Sequence, residues 1–201
     1  MESGRPTPVA EKRGQVILKD IHKDYLDFLL KFKGDYSDIK IAFDLSNGMS
    51  SLYAREIFGD EPAYIFEELD GNFPNHEPNP LIPKNVEPLQ ALVKKTGADV
   101  GVIYDGDADR VMFVDNEGKF VSPDLMIAVL GHYFIDERHE TGTVLQDIRS
   151  SKAVGEYLTP MGCKMATWKV GRAFAAKKLR ELDGVWGGEL AGHYYFRDFF
   201  Y

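Results

Sequence analysis

The 201-residue sequence contains one cysteine, Cys163, and no apolar run near the roughly 20 residues that a membrane span requires. A single cysteine forms no intrachain disulfide, so the chain needs no oxidising compartment. The N-terminal residues are polar and lack the apolar stretch of a signal peptide. We therefore expect a cytoplasmic protein that has no membrane partner.

Basic residues are the minority among the charged ones: 24 Lys and Arg against 32 Asp and Glu give a net charge of −8 with His neutral. This balance disfavours a general binder of nucleic acid, although a local basic patch can still hold phosphate groups. Apolar residues at 44% and charged residues at 28% are typical of globular proteins and disfavour disorder or fibrous repeats. The length suits one large domain or two small ones.

Strand and helix patterns alternate along the chain, which is typical of α/β proteins with largely parallel sheets. Apolar runs predict strands at 15–19, 39–45, 63–67, 99–104, 110–115, 143–148, 163–168, 185–187 and 193–200. Helical spacing predicts helices at 21–32, 50–58, 88–96, 123–138, 151–158 and 172–182. Two similar blocks meet near residue 118, so we predict a tail or linker at 1–14 and domains at 15–118 and 119–201.

The strongest motif is Asp105-Gly106-Asp107-Ala108-Asp109-Arg110, directly after the apolar run 99–104. Three carboxylates at alternate positions repel one another and need either wide solvation or a cation. The small residues between them allow a tight turn that directs the oxygens toward one point. Such hard oxygen ligands suit Mg²⁺, Mn²⁺ or Ca²⁺ better than zinc, and a divalent ion together with Arg110 would balance the three negative charges.

The residues of this loop also suggest other interpretations. An EF-hand starting at Asp105 would need Gly at its sixth position and Glu at its twelfth, and those positions hold Arg110 and Asn116. An acidic hairpin turn between two strands stays open as an alternative. So does a phosphatase in which one Asp of a D-x-D pair attacks phosphorus.

Three further turns that follow apolar runs carry candidate binding groups: Gly187–His193 (GGELAGH), Trp168–Arg172 (WKVGR) and Asp147–Ser151 (DIRSS). In the first, Glu189 can accept hydrogen bonds from adjacent sugar hydroxyls, and His193 can donate or accept near neutral pH. In the second, Lys169 and Arg172 flank a glycine where a helix begins, an arrangement that binds phosphate. Each motif alone is equally compatible with an ordinary turn or helix cap, as for Ser151.

Together these motifs resemble the α-D-phosphohexomutases, and most nearly their bacterial phosphomannomutase/phosphoglucomutase branch. DGDADR resembles the magnesium loop of that family, usually D-G-D-G-D-R, with Ala108 in place of a glycine. The segment Asp70–Pro80 resembles the loop upstream of the metal site, and GGELAGH resembles the sugar-recognition loop G-E-x-S-G-H. The order and separation of the three pieces also match.

The resemblance implies two consecutive three-layer α/β domains with mixed, largely parallel sheets, the second of them incomplete. It implies reversible movement of a phosphoryl group between C1 and C6 of a hexose phosphate, through a phosphoserine and a hexose bisphosphate. The metal Mg²⁺ would be held by Asp105, Asp107 and Asp109. The implied catalytic residues are Arg110, Lys169 and Arg172. The implied substrate-binding residues are Glu189, Ala191, His193 and Arg149.

Several departures from the family pattern shape what we expect of this chain. The resemblance covers only the second and part of the third of four domains, and no T-A-S-H-N-P-type serine loop or R-x-S-G-T-type clamp occurs here, so we expect these 201 residues alone not to turn over substrate. Arg172 replaces the His of K-T-G-H, and Ala191 replaces a hydroxyl residue. A non-catalytic module that binds metal or sugar phosphate is therefore the alternative. An incomplete domain would expose apolar surface, which favours self-association.

Overall fold

The computed structural model describes residues 14–201, which divide into a unit that ends at Gly34 and a unit Asp35–Tyr201. In the first unit, α1 (His22–Leu29) continues into a 3₁₀ turn, Leu30–Phe32. The strand predicted at 15–19 is wrong, because these residues form no strand. A strand needs a partner for its backbone groups, and the described part of this unit contains no second strand. The tail predicted at 1–14 lies outside the described residues, apart from Gly14.

The second unit contains a five-stranded mixed sheet, built from the first half of the chain. Its elements are β1 (Ile41–Asp44), a 3₁₀ turn (Met49–Leu52), α2 (Ala54–Phe58), β2 (Ala63–Ile65), α3 (Pro83–Thr96), β3 (Val100–Tyr104), β4 (Val111–Asp115) and β5 (Phe120–Val121). The strand order is β2-β1-β3-β4-β5. Strands β2, β1 and β3 are parallel, β4 runs antiparallel to β3, and β5 runs antiparallel to β4. The parallel pairs place the carboxyl ends of β1 and β3 side by side.

Helices cover both faces of this sheet because side chains alternate along each strand. On one face, Ala42 and Ile103 pack against Leu89 and Val93 of α3. On the other face, Phe43 and its neighbours pack against Ala54 of α2. The result is the three-layer arrangement that the sequence pattern indicates.

A four-stranded mixed sheet follows in the second half of the chain. Its elements are α4 (Pro123–Gly131), a π-helical turn (His132–Glu137), β6 (Thr143–Asp147), α5 (Lys152–Leu158), β7 (Lys164–Trp168), α6 (Arg172–Glu181), β8 (Trp186–Gly188), β9 (Tyr194–Phe196) and a 3₁₀ turn (Arg197–Phe199). The order is β7-β6-β8-β9, with only β9 antiparallel. Ile127, Leu158 and Trp186 form the core on one face, and Leu145 and Leu179 form it on the other.

The predicted α/β class with mixed, largely parallel sheets is confirmed, and the main differences are at element boundaries. Helix α3 begins five residues before the predicted start, because Pro83 occupies its first position, where a missing N–H costs no hydrogen bond. The two-residue strand β5 was not predicted. The last predicted strand ends at Phe196. Within residues 14–201, no helix combines the length and the apolar character that crossing a membrane requires.

Candidate functional site

The aspartate loop, Asp105–Arg110, connects the buried strand β3 to the antiparallel strand β4. The Asp105 N–H donates to the Arg110 carbonyl at 3.3 Å, and the Ala108 N–H donates to the Asp105 carbonyl at 3.3 Å. These bonds close a tight turn in which Ala108 adopts a left-handed conformation with φ of 63°. The Asp105 side chain is buried, whereas Asp107 and Asp109 are exposed. The turn therefore presents two solvated carboxylates beside a buried one.

Arg110 holds the buried carboxylate of this loop in place. Its Nε donates to Asp105 Oδ2 at 2.6 Å, and its backbone N–H donates to Asp105 Oδ1 at 3.2 Å. A second guanidinium nitrogen donates to Asn79 Oδ1 at 3.4 Å. Charge-assisted bonds to both oxygens fix the orientation of Asp105. This engagement disfavours Asp105 as a phosphatase nucleophile, which would direct a free oxygen at phosphorus.

The loop offers a donor set that fits a hard divalent cation. One oxygen from each of Asp105, Asp107 and Asp109 lies within 4.8 Å of the other two. Magnesium binds oxygen at about 2.1 Å, which places neighbouring ligand atoms about 3 Å apart. The two exposed side chains can close that gap by rotating in solvent. The residues predicted as metal ligands therefore lie together in an arrangement compatible with Mg²⁺.

The turn after β1 contacts the aspartate loop and the residue before it through hydrogen bonds to backbone carbonyls. Ser46 Oγ donates to the Tyr104 carbonyl at 2.6 Å, and the Met49 N–H donates to the Gly106 carbonyl at 3.0 Å. A Cβ at Gly48 would lie 2.6 Å from the Gly106 carbonyl oxygen, so only glycine allows this approach. The sequence analysis did not assign these residues, although the S-N-G that follows an apolar strand was a usable signal.

The sugar loop, Glu189–His193, follows β8 and is closed by its own backbone. The Glu189 N–H donates to the His193 carbonyl at 2.9 Å, and the Gly192 N–H donates to the Glu189 carbonyl at 3.0 Å. The Glu189 side chain is buried, and its Oε1 accepts a hydrogen bond from the Gly171 N–H at 2.9 Å. One carboxylate oxygen is thus anchored to the turn that follows β7. The loop is held in a single defined shape.

The aspartate loop and the sugar loop meet, although 84 positions separate Asp105 and Glu189 in the sequence. The Val111 N–H donates to the Gly192 carbonyl at 3.1 Å. His193 lies between the loops, with Nε2 at 3.3 Å from Asp109 Oδ2 and Nδ1 at 3.4 Å from Glu189 Oε2. The predicted metal-binding and sugar-binding residues therefore belong to one site.

Asp147, at the end of β6, joins a second turn to the sugar loop. Its Oδ2 accepts a hydrogen bond from the Leu190 N–H at 2.9 Å and another from the Arg149 guanidinium at 2.7 Å. Burial alone would raise the pKa of Asp147, but the hydrogen bonds from Arg149 and Leu190 outweigh it, so this pKa lies below its usual value. The predicted substrate-binding residue Arg149 is thereby fixed next to the sugar loop, and Asp147 is a support that the sequence analysis did not assign.

Lys169 and Arg172 lie on the turn that contributes Gly171. Lys169 Nζ is 3.6 Å from the centroid of the Phe174 ring, in cation–π geometry. Arg172 is exposed at the first position of α6. Gly171 has φ of 123°, a conformation that side-chain-bearing residues rarely adopt, and this places its N–H against Glu189. Both predicted cations therefore flank the residue that anchors the sugar loop.

Two residues of the sugar-loop region have surroundings that bear on binding. Tyr195 lies behind the loop, where burial and then the negative charge of Glu189 raise the pKa of its phenol. Ala191 is half-buried and presents a methyl group where the resemblance leads one to expect a hydroxyl. The loop therefore keeps its carboxylate and imidazole but has one hydrogen-bonding group fewer.

Family models match almost the whole described chain. The description "phosphoglucomutase/phosphomannomutase, alpha/beta/alpha domain II" applies to residues 23–118, and the corresponding description for domain III applies to residues 122–201. The first match contains the aspartate loop, and the second contains the sugar loop. The two halves of the candidate site therefore come from two successive domains of one family.

Individual relatives agree with these matches. The chain is 31% identical over 192 residues to a phosphoglucomutase of Neisseria gonorrhoeae, covering 94% of this chain and 42% of that protein. It is 32% identical over 206 residues to a phosphomannomutase of Escherichia coli, covering 96% and 45%. The crystal structure of a phosphoglucomutase/phosphomannomutase family protein from Burkholderia thailandensis matches with a TM-score of 0.78 and 29% identity, over 89% of this chain and 40% of that one. The chain spans less than half the length of these relatives.

Proposed function

Because this chain belongs to the phosphoglucomutase/phosphomannomutase family, we propose that it forms the metal-binding and sugar-binding part of a phosphohexomutase. Such an enzyme moves a phosphoryl group between C1 and C6 of a hexose phosphate, through a phosphoserine and a hexose bisphosphate. The observation that carries the proposal is the contact between the aspartate loop and the sugar loop, through the Val111–Gly192 hydrogen bond and His193.

We also propose that the two sheets are separate domains, 15–118 and 119–201, in a cytoplasmic protein.

Asp105, Asp107 and Asp109 would hold Mg²⁺, which when bound supplies positive charge that stabilises a transferring phosphoryl group. Arg110 adds a fixed positive charge beside this position, because its guanidinium is already oriented by Asp105 and Asn79. Preorganised charge of this kind needs no rearrangement when a phosphate arrives.

The sugar would lie against Glu189. Its Oε1 accepts from the Gly171 N–H, and its Oε2, which lies 3.4 Å from His193 Nδ1, would accept hydrogen bonds from sugar hydroxyls. His193 can hold the same ligand from the side of Asp109. Lys169, Arg172 and Arg149 would bind the phosphate that is not being transferred, since guanidinium groups match phosphate oxygens in pairs.

The proposal is tested first by metal binding. In calorimetric titrations with Mg²⁺, the chain should bind one ion, and Asp107→Asn should weaken binding by about tenfold or more, the loss typical of changed metal surroundings. Asp107 is exposed, so its replacement should leave the fold intact. The matched control is Asp38→Asn, which removes the same charge at an exposed position before β1, at the opposite end of the sheet. Equal affinities for both variants would contradict the metal assignment.

Sugar-phosphate binding and turnover complete the test. Glucose 1-phosphate should bind in the presence of Mg²⁺ and bind more weakly to Glu189→Gln, because the neutral amide accepts hydrogen bonds less strongly. We further propose that these 201 residues alone produce no glucose 6-phosphate, even with glucose 1,6-bisphosphate added. Product in a coupled dehydrogenase assay would contradict that statement. Absence of binding of both the metal and the sugar phosphate would contradict the proposed function itself.

A further inference from the structure

A buried ion pair, Asp44–His76, joins the end of β1 to the segment Asp70–Pro80. Asp44 ends strand β1, and its side chain is completely buried. His76 lies 32 positions later, in the irregular segment before α3, and its side chain is 7% exposed. Its Nε2 is 3.1 Å from one carboxylate oxygen of Asp44 and 3.3 Å from the other. The ring also packs edge-on against Phe66, with centroids 5.3 Å apart.

The hydrogen bonds of His76 define where its protons are. Nδ1 is 2.8 Å from the Glu77 carbonyl, which can only accept, so Nδ1 carries a proton. Nε2 faces a carboxylate, and a hydrogen bond there requires one further proton between the two groups. The bond to Asp44 raises the pKa of His76 against the opposing effect of burial. The imidazole and the carboxylate therefore share this proton, which joins the two side chains to each other.

Each member of the pair belongs to one of two supports of the aspartate loop. Asp44 orients the following turn by accepting from the Ser46 N–H at 2.9 Å, and Ser46 in turn contacts the Tyr104 carbonyl directly before Asp105. The segment that contains His76 reaches the loop at two other points. Phe73 and Pro78 pack against Gly106, where an added Cβ would lie 3.2–3.3 Å from their side chains.

A second contact of the His76 segment reaches the other end of the loop. Asn79 accepts a hydrogen bond from the Arg110 guanidinium at 3.4 Å. The two supports are also joined beside the ion pair, where Asn75 Nδ2 donates to Asn47 Oδ1 at 2.8 Å. The aspartate loop therefore packs between the turn after β1 and the segment that contains His76, and the Asp44–His76 pair connects these two segments.

We propose that Asp44 and His76 are a positioning pair that holds the aspartate loop in the conformation in which its carboxylates can bind a divalent cation. Stability alone does not explain the pair, because apolar side chains of similar size commonly replace a buried ion pair without loss. The bound cation is part of the proposed function, so only the statement about cation binding rests on that function. The ordering of the loop is a property of the metal-free protein and can be measured without any ligand.

The first measurement is amide hydrogen exchange in the metal-free 201-residue chain, followed by NMR at Ala108 and Arg110. Both N–H groups donate to Asp105 within the loop, so their protection reports its order. Asp44→Asn and His76→Gln each remove one partner of the buried pair and should speed exchange about tenfold, relative to Val144 in the core of the other sheet. The double variant replaces the ion pair by two amides that can bond to each other and should return close to the wild-type rate.

The matched control is His132→Gln, which breaks another histidine–aspartate contact, 2.7 Å from Asp136, on the surface of the molecule. It should leave exchange in the aspartate loop unchanged. The second measurement is the Mn²⁺ dissociation constant of the same proteins. It should rise about tenfold in each single variant and recover in the double variant, as expected for groups that orient metal ligands indirectly.

The exchange rates of the single and double variants decide whether Asp44 and His76 position the aspartate loop. Unchanged loop exchange in both single variants overturns it, as do additive effects in the double variant or equal acceleration at Val144. If a single variant fails to fold, the double variant decides: near-wild-type loop exchange supports the pair, and tenfold acceleration overturns it. Failure of the wild-type chain to bind Mn²⁺ would contradict the proposed metal site, while the exchange rates would still decide the role of Asp44 and His76.

Discussion

Replacing Gly192 by alanine should separate the two loops that form the candidate site. Gly192 has φ of 90°, and its carbonyl accepts the hydrogen bond from the Val111 N–H. An added Cβ would lie 2.8 Å from Met112 Cε and 3.2 Å from the Val111 carbonyl oxygen. The methionine side chain can move aside, but the backbone carbonyl cannot move without loosening the bond between the loops.

The expected loss in the free energy of unfolding is the sum of two parts. An L-residue with positive φ costs about 1–2 kcal/mol. Displacing the Val111 backbone weakens a hydrogen bond worth about 1 kcal/mol. Gly192→Ala should therefore lower the free energy of unfolding by about 2–3 kcal/mol, and it should also weaken binding of glucose 1-phosphate in the presence of Mg²⁺.

Urea unfolding followed by circular dichroism measures this difference. The matched control is Gly155→Ala, because an added Cβ there would meet only Met165 Cγ at an ordinary 3.6 Å within helix α5. Alanine is favoured over glycine in helices, so this control should gain about 0.5–1 kcal/mol. If Gly192→Ala were as stable as the wild type, the contact between the loops would not depend on glycine, and the reasoning would be refuted.

Two further changes test the backbone of the aspartate loop and the charge of Asp147. Ala108→Gly should stabilise the chain by about 0.5–1 kcal/mol, because relief of about 1–2 kcal/mol of left-handed strain exceeds the entropy lost by glycine, and a lower urea midpoint would contradict this. Asp147→Asn should cost about 2 kcal/mol near neutral pH, since charge-assisted bonds weaken. The depressed pKa of Asp147 gives stability that is present above its unfolded pKa and lost as pH falls through the folded one. In urea titrations the two proteins should therefore begin to converge as the pH falls below about 4, and the difference should vanish only below the folded pKa. A pH-independent difference would show that the charge is not responsible.

The strands predicted at 99–104, 110–115, 143–148 and 163–168 agree with the structure to within one residue at each end. Val100–Tyr104 is a continuous apolar run because helices cover both sides of its sheet, and in Thr143–Asp147 the apolar residues are the central Val144 and Leu145. At 15–19 an equally apolar run forms no strand, since apolar character does not specify a partner for the backbone. Conversely, Phe120–Val121 pairs with β4 although two residues carry no readable pattern.

Within the candidate site, the sequence indicated the proposed metal and sugar ligands but not the residues that support them. Asp105 and Glu189 occur in motifs whose spacing is itself informative, and the structure brings their loops together. Asp44 stands in no motif, and His76 lies in Asp70–Pro80, a segment that was singled out as a whole without a role for this residue. Only the parallel pairing of β1 with β3 places Asp44 next to the aspartate loop. Long-range contacts of this kind depend on topology, which no local pattern encodes.

The backbone hydrogen bonds that hold the sugar loop determine which of its positions tolerate substitution. Apart from the Glu189 carboxylate, the loop is held by its peptide groups: the Leu190 N–H donates to Asp147, and the Gly192 carbonyl accepts from Val111. The side chains of Leu190 and Ala191 take no part in these bonds. Substitutions at these two positions can therefore change the side chains that the loop presents while the hydrogen bonds that hold its backbone are preserved.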